Sequence, residues 1–231
     1  MLDAVCNIYG LGELPLEKYQ GHLVEPSALA EFKLMQIAAA KDGVSIQICS
    51  AYRDLPKQLS IWNAKASGKR TLLDKSSQPI AIASLSDDQL VDAILLWSAL
   101  PGISRHHWGT DIDLFDAKLV DQKDLRLISS EYAPGGPCHN MHHWLTHYAS
   151  DFGFYFPYQT GLSGVSPEPW HLSYYPKANE YLKAFDLKTL ADILSLQEMH
   201  LKHSVLARLE SLVDEFVYRI APWPKTPNNE Y

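Results

Sequence analysis

Three short segments with the character of β-strands, each more than fifty residues from the next, constrain the fold of this chain more than any other feature. Apolar and polar side chains alternate over residues 44–49 and 110–115, which is the period of a half-buried strand. Residues 170–175 form a third candidate strand, and helical patterns occupy much of the sequence between the three. We therefore predict an α+β fold with a small, mainly antiparallel sheet flanked by helices.

Five segments carry helical signals. Pro26 at the start and Gly43 after the end are typical boundaries for the first of them. Ser86 and Gln89 have the spacing of a capping box and open the third. The predicted helical segments are residues 25–42, 55–66, 86 to about 99, 140–151 and 188–219. Residues 69–83 and 116–138 are predicted as loops, and the second is long enough to suggest a functional rim or an insertion.

Length and composition limit the possible functions. The 231 residues suit a single domain spanning 1–231, with a core at about 25–176 and a C-terminal helical extension at about 186–220. The net charge of −7 argues against a nucleic-acid partner. No apolar run approaches the ~20 residues of a transmembrane helix. The three cysteines include no C-x-x-C pair, so neither a disulfide framework nor a cysteine-based zinc site is expected.

The N-terminal residues bear on the cellular location of the protein. The visible N-terminus carries Asp3 and lacks the basic region of a signal peptide, which favours the cytoplasm. A location in the cell envelope follows instead if a signal has been removed. The sequence leaves the oligomeric state open.

Two polar stretches at strand edges, residues 104–113 and 168–171, carry the candidate chemistry. His106 precedes one predicted strand, Asp113 lies on it, and His171 lies on another strand. A catalytic zinc takes three such protein ligands and keeps a fourth position open for water. Glu168, on the loop before His171, would then be a carboxylate beside that water, able to act as general base and general acid.

Together with an upstream S-x-Y-R segment, these motifs resemble those of a known family. The chain has S-x-H-x-x-G-x-x-x-D over residues 104–113, E-x-W-H over 168–171 and S-x-Y-R over 50–53. This ordered set is similar to that of the zinc D-alanyl-D-alanine carboxypeptidases and dipeptidases, the vancomycin-resistance carboxypeptidase type of peptidase family M15. The resemblance covers roughly residues 25–176.

The resemblance implies roles for individual residues. It implies one Zn²⁺ per chain, held by His106, Asp113 and His171, with Glu168 as catalytic base. It also implies Arg53 as the cation that stabilises the polarised carbonyl oxygen or binds the substrate, which suits a permanently charged, forked guanidinium. Two further candidates for substrate binding are Ser104, which could equally cap a turn, and Trp108, which could line the cleft or pack under the metal.

The implied reaction is hydrolysis of the C-terminal D-Ala from peptidoglycan-type peptides by a zinc-activated water. An L,D-carboxypeptidase or a peptidoglycan endopeptidase using the same site is an alternative. From another class, a non-catalytic zinc-containing binding domain is possible, although a purely structural zinc site needs neither Glu168 nor Arg53.

Two features depart from this pattern or compete with it. Asp111 stands where the family often has Ala; it could accept a hydrogen bond from a ligand histidine, but we favour an exposed strand residue. His139, His143 and His147 share one helical face and could bind a metal. Because no Glu follows the first of two such histidines, as the helical zinc motif requires, we favour a polar rim near the cleft.

Overall fold

A four-stranded antiparallel sheet forms the centre of the molecule, which a computed structural model describes for residues 7–75 and 78–223. Its strand order is β3-β6-β8-β7, and two separate hairpins, β1-β2 and β4-β5, lie outside it. The strands are β1 (Glu17–Tyr19), β2 (His22–Val24), β3 (Ile46–Ser50), β4 (Leu72–Leu73), β5 (Pro79–Ile80), β6 (Asp111–Asp116), β7 (Phe154–Tyr155) and β8 (His171–Tyr174). With the helices around this sheet, the predicted α+β class is confirmed.

Nine α-helices lie within the described residues. They are α1 (Pro26–Lys41), α2 (Leu55–Ala66), α3 (Asp87–Leu95), α4 (Ser129–Tyr132), α5 (His139–Tyr148), α6 (Tyr175–Ala184), α7 (Leu187–Ser195), α8 (Lys202–Ala207) and α9 (Leu209–Val213). The capping box of Ser86 and Gln89 is present, but α3 ends four residues before the predicted position. The predicted loop over 116–138 contains α4, and the loop over 69–83 contains the β4-β5 hairpin.

The central strand β6 differs from its prediction in burial. All six of its residues are buried, whereas alternation predicted a half-buried strand. The alternation itself is real: Ile112 and Leu114 enter the apolar core, and Asp111 and Asp113 alternate with them. The polar members are buried because other polar side chains, including Arg105 and His171, cover them.

Two hydrophobic clusters stabilise the molecule. One contains Trp62 and Trp108 and joins α2 and α3 to the C-terminal helices. The other contains Phe32 and Phe154 and joins α1 and α5 to the sheet. The helical region that follows the sheet begins at Tyr175, about ten residues earlier than predicted, and packs into the first cluster. The single-domain boundaries stay a prediction.

Among the helices of the described ranges, none has both the length and the apolar character needed to cross a membrane. Cys6, and the N-terminal residues behind the compartment prediction, lie outside the described part of the chain.

Candidate active site

Three predicted metal ligands converge beside the two inner strands of the sheet. His106 lies on a 3₁₀ helix (Arg105–Trp108), Asp113 on β6, and His171 at the start of β8. One ligand atom from each lies within 4.8 Å of the others, and all three residues are buried. His106 Nε2 is 3.3 Å from Asp113 Oδ2, and His171 Nδ1 is 3.0 Å from Asp113 Oδ1. No other such group of three His, Cys, Asp or Glu residues occurs in the ranges 7–75 and 78–223.

Strand register and one turn produce this convergence. Asp113 and His171 are direct partners in the antiparallel β6-β8 pair, so residues fifty-eight positions apart become neighbours. Gly109 ends the 3₁₀ helix with a φ of 70°, which returns the chain so that His106 lies against Asp113. A Cβ at Gly109 would lie 2.6 Å from Leu16 Cδ2. Glycine therefore suits this turn for two reasons: its backbone is left-handed, and Leu16 leaves little space for a side chain.

Hydrogen bonds orient both imidazoles for metal binding. His106 Nδ1 lies 2.8 Å from the Ala51 carbonyl oxygen and donates to it, which leaves Nε2 as the free donor atom facing Asp113. His171 Nε2 lies 3.0 Å from Asp111 Oδ1, which leaves Nδ1 facing Asp113. Two imidazole nitrogens and one carboxylate oxygen are the donor set of a catalytic zinc site, so these residues fit that ion.

Asp111 is part of this arrangement, and our interpretation of it as an exposed strand residue is wrong. Its side chain is fully buried and accepts hydrogen bonds from Arg105 Nε at 2.8 Å and from His171 Nε2. Thr110 and Ser173 donate to its other oxygen. Burial opposes ionisation, but the Arg105 guanidinium and the hydrogen bond from His171 lower the pKa of Asp111 to about 2. Asp111 is therefore an anionic acceptor that orients His171.

Glu168 lies on the loop that enters β8, with Oε2 3.6 Å from His171 Nδ1. Burial raises the pKa of Glu168 to about 7, and the charge of Asp113 adds to this rise against the opposing charges of His171 and Arg53. A carboxyl with a pKa near neutrality can both accept and release a proton. Despite burial, the charges and hydrogen bonds of the two histidines hold the pKa of Asp113 well below its ordinary value.

Arg53 follows β3 and faces the same centre. Its Nη2 lies 3.7 Å from Asp113 Oδ2, its Nη1 donates to Gln58 Oε1, and its buried Nε has no hydrogen-bond partner in the described structure. The backbone of Arg53 is held by His107, whose Nδ1 donates to the Arg53 carbonyl oxygen while its Nε2 accepts from Gly102 N. Burial lowers the pKa of His107 to about 3, so its ring is neutral and can make both bonds.

The remaining predicted residues lie away from the reacting groups. Trp108 packs in the core, where its Nε1 donates to the Ile8 carbonyl oxygen. The guanidinium of Arg105 lies over its ring, 4.6 Å from the ring centre. Ser104 is buried just before the 3₁₀ helix and does not line the cavity beside Asp113. Histidines 139, 143 and 147 share one face of α5, as predicted, and do not form a metal-binding group within the described structure.

The cavity beside this centre has a volume of about 340 Å³. Asp113, Glu168 and Arg53 all line it, together with Trp97 and Trp170. A larger cavity of about 720 Å³ also reaches Glu168 but contains none of the three metal-ligand residues. The smaller cavity is therefore the one that Asp113, Glu168 and Arg53 share.

Sequence comparison identifies relatives of this chain. A family model described as VanY, D-alanyl-D-alanine carboxypeptidase, matches residues 21–177. An uncharacterised protein of Haemophilus influenzae is 37% identical over 90 residues, which cover 39% of this chain and 62% of that protein. A D-alanyl-D-alanine carboxypeptidase of Enterococcus faecalis is 29% identical over 140 residues, which cover 59% of this chain and 42% of that protein. The matches thus span less than two thirds of either relative.

Two solved structures share the fold. VanYB in complex with D-alanine-D-alanine has a TM-score of 0.53 at 22% identity, covering 80% of this chain and 91% of that one. A mutant of the vancomycin-resistance D,D-pentapeptidase VanY, in complex with Zn(II), has a TM-score of 0.52 at 24% identity, covering 77% and 89%.

Proposed function

Because this chain belongs to the VanY family of D-alanyl-D-alanine carboxypeptidases, we propose that it hydrolyses the C-terminal D-Ala from peptidoglycan-type peptides. The family match confirms the family predicted from the sequence, and the dependence on zinc is part of this proposal. The observation that carries the proposed reaction is the burial of His106, Asp113 and His171 around one point, with the near-neutral carboxyl of Glu168 beside it. The complexes of the two fold relatives with D-alanine-D-alanine and with Zn(II) support the same substrate and metal.

In this proposal the metal activates the carbonyl and the water, and Glu168 transfers the protons. Zinc, when bound, polarises the scissile carbonyl and lowers the pKa of a coordinated water toward neutrality. Glu168 accepts the proton of the attacking water and then delivers it to the nitrogen of the leaving D-Ala. The raised pKa of Glu168 suits both transfers, because the same carboxyl must be a base in the first and an acid in the second.

In this proposal the positive charge of Arg53 stabilises a negative oxygen of the substrate. The Arg53 guanidinium lines the cavity with Nη2 3.7 Å from Asp113 Oδ2, so it can donate to an oxygen that becomes negative during attack, or to the terminal carboxylate. The hydrogen bonds from Nη1 to Gln58 and from His107 to the backbone hold this guanidinium in place before substrate binds. A group held in advance does not need to reorganise during the reaction.

Replacement of Glu168 tests the mechanism. Glu168→Ala should bind zinc at the same stoichiometry and lose hydrolysis of a D-Ala-D-Ala peptide by roughly 10²–10⁴-fold, the usual contribution of a general acid-base group. Glu210→Ala, at an exposed glutamate, is the matched control and should keep both properties. Full activity in the Glu168→Ala protein would remove this residue from the proposed role.

A peptide panel tests the specificity. The wild-type zinc protein should release D-Ala from a D-Ala-D-Ala peptide, and a chelator should abolish the release. Preferential cleavage of a peptide with an L residue before its terminal D-Ala would instead indicate an L,D-carboxypeptidase. Cleavage within a longer cross-linked peptide would indicate an endopeptidase, and an absence of chelator-sensitive release would favour a zinc-containing binding domain.

A further inference from the structure

The cavity beside Asp113 and Glu168 is lined by more positive charge than the proposed reaction uses. Four basic residues line it, namely Arg53, Lys65, Arg70 and Arg126. The acidic residues that line it are Asp113 and Glu168. In the proposed reaction Asp113 binds the metal and Glu168 transfers protons, so neither is available to pair with these cations. This is a local excess of cations in a chain whose net charge is −7, so it does not reflect the average surface.

Three of these cations form no ion pair with a carboxylate in the part of the chain that the structure describes. Within residues 7–75 and 78–223, the side chains of Lys65, Arg70 and Arg126 form no ion pair. Lys65 lies in the last turn of α2 and Arg70 directly follows that helix. Arg126 lies on the segment before α4, where its backbone N donates to the Glu131 carboxylate at 3.0 Å. Two separate chain segments therefore place unpaired cations on one cavity.

Lys65 is the most enclosed of the three. It is half-buried, and burial lowers its pKa to about 8, with the neighbouring charges of Arg70 and Arg53 adding to the fall and Glu168 opposing it. Apolar residues of the same cavity, including Ile61, Leu73 and Leu127, reduce the exposure of any bound group to water. Charges attract more strongly in such surroundings than in bulk water. An anion bound here would therefore be held more tightly than on an open surface.

We propose that Lys65, Arg70 and Arg126 form a subsite for a second carboxylate of the substrate, carried on a side chain upstream of the two terminal D-Ala residues. This inference rests on the proposed carboxypeptidase function and specifies its substrate class as acidic peptides. The terminal carboxylate requires one cation, and Arg53 is available near the reacting atoms. An extended peptide advances about 3.3–3.6 Å per residue, so a cavity of this size holds only the residues closest to the cleaved bond.

Two matched peptides test the subsite. N-acetyl-Glu-D-Ala-D-Ala and N-acetyl-Gln-D-Ala-D-Ala have nearly the same shape and differ by one charge. The wild-type zinc enzyme should have a kcat/KM about tenfold higher for the Glu peptide, the size of one charge-assisted hydrogen bond. Lys65→Met, Arg70→Gln and Arg126→Gln should each reduce the Glu/Gln ratio, and the Lys65→Met/Arg126→Gln double variant should bring it close to one.

Lys69→Met is the control, because Lys69 is exposed and does not line the cavity. It should keep the wild-type ratio. A ratio near one in the wild type, or a ratio that survives the double variant, would overturn the subsite. Arg126→Gln changes an exposed side chain and is expected to fold normally. Its Glu/Gln ratio therefore still tests the subsite if a substitution at half-buried Lys65 impairs folding.

Calorimetry separates this inference from the proposed function. Zinc-loaded Glu168→Ala should bind the Glu peptide about tenfold more tightly than the Gln peptide. Equal affinities would overturn the subsite even if the wild type hydrolyses both peptides. Tighter binding of the Glu peptide, combined with hydrolysis of neither by the wild type, would support the subsite and contradict the proposed reaction.

Discussion

At the scale of single residues, hydrogen bonds prepare the site for its metal. Each ligand imidazole has one nitrogen bonded to an oxygen of the protein, Ala51 O for His106 and Asp111 for His171. Asp111 in turn accepts from Arg105, a buried guanidinium that also donates to Ser173. This network selects the ring nitrogen that faces Asp113, so the donor atoms need little rearrangement to bind an ion.

Asp111→Asn tests that network. The substitution keeps the shape and removes the charge that accepts from His171 and Arg105, so we expect zinc affinity to fall by about 10–100-fold. Competition with a fluorescent chelator measures the change. Asp124→Asn, at an exposed aspartate, should leave the affinity unaltered. An unchanged zinc affinity in the Asp111→Asn protein would show that Asp111 does not act on the ligand.

Lys65 gives the acidic-peptide preference a predicted pH dependence. Because its pKa is about 8, Lys65 is charged below that pH and neutral above it, so the Glu/Gln ratio of kcat/KM should fall between pH 7 and 9. Glu168, Arg70 and Arg53 are the charges that act on it, and Glu168 affects both peptides alike. Lys65→Arg should keep the ratio constant to pH 9. A wild-type ratio that stays flat or rises over this range would contradict the prediction.

At the scale of elements, a turn and a strand register position the ligands. The β6-β8 pair sets Asp113 opposite His171, and the turn at Gly109 brings the 3₁₀ helix back over β6. The backbone at this turn is tied to the start of α1, since Glu25 N donates to the Gly109 carbonyl oxygen at 2.9 Å. Displacement of this turn would therefore displace His106 from the other two ligands.

Gly109→Ala measures the importance of the turn. Gly43 provides a matched control, because it has a similar φ of 80° but no atom within 4 Å of an added Cβ. Both substitutions should destabilise the fold by about 1–3 kcal/mol through the left-handed backbone. Gly109→Ala should cost more and should also weaken zinc binding, because its Cβ would displace the Leu16 side chain and lie 3.3 Å from the backbone nitrogen of Glu25. Denaturant titration and zinc content would be compared, and equal effects of the two variants would contradict this account.

At the scale of the whole molecule, the site lies where the two hydrophobic clusters meet. Trp108, two residues after His106, belongs to the cluster that includes the C-terminal helices. Ile112 and Leu114, on either side of Asp113, belong to the cluster beneath the sheet. A metal bound by His106, Asp113 and His171 therefore connects elements that pack into different parts of the core.

Removal of the metal should accordingly lower the stability of the whole fold. At free zinc about 1,000 times its Kd, binding stabilises the native state by about 4.1 kcal/mol. For a chain of this length this corresponds to a decrease in Tm of roughly 8–16 °C on chelation. Differential scanning calorimetry with and without chelator measures it, and the His171→Ala protein should show little difference. A wild-type Tm that does not respond to chelation would be inconsistent with a metal shared by these elements.

Much of the architecture was predictable from local sequence signals. Helix α2 has the predicted bounds, and the Ser86–Gln89 capping box forms because a cap depends only on residues within one turn. Strands 44–49 and 110–115 were predicted to within two residues. The roles of Glu168 and Arg53 stay predictions.

The sequence by itself predicted which side chains are candidate metal ligands, since their order and spacing are present in the linear chain, and the structure brings these three together. Tertiary structure decided what surrounds them. Alternation identified Asp111 as polar but did not show that Arg105 and His171 cover it. The hydrogen bond from His107 to the Arg53 carbonyl oxygen also joins distant segments, and so does the cavity that Lys65 and Arg126 both line. Local periodicity shows which way a side chain points, whereas its burial, its partner and its charge depend on segments that only folding brings together.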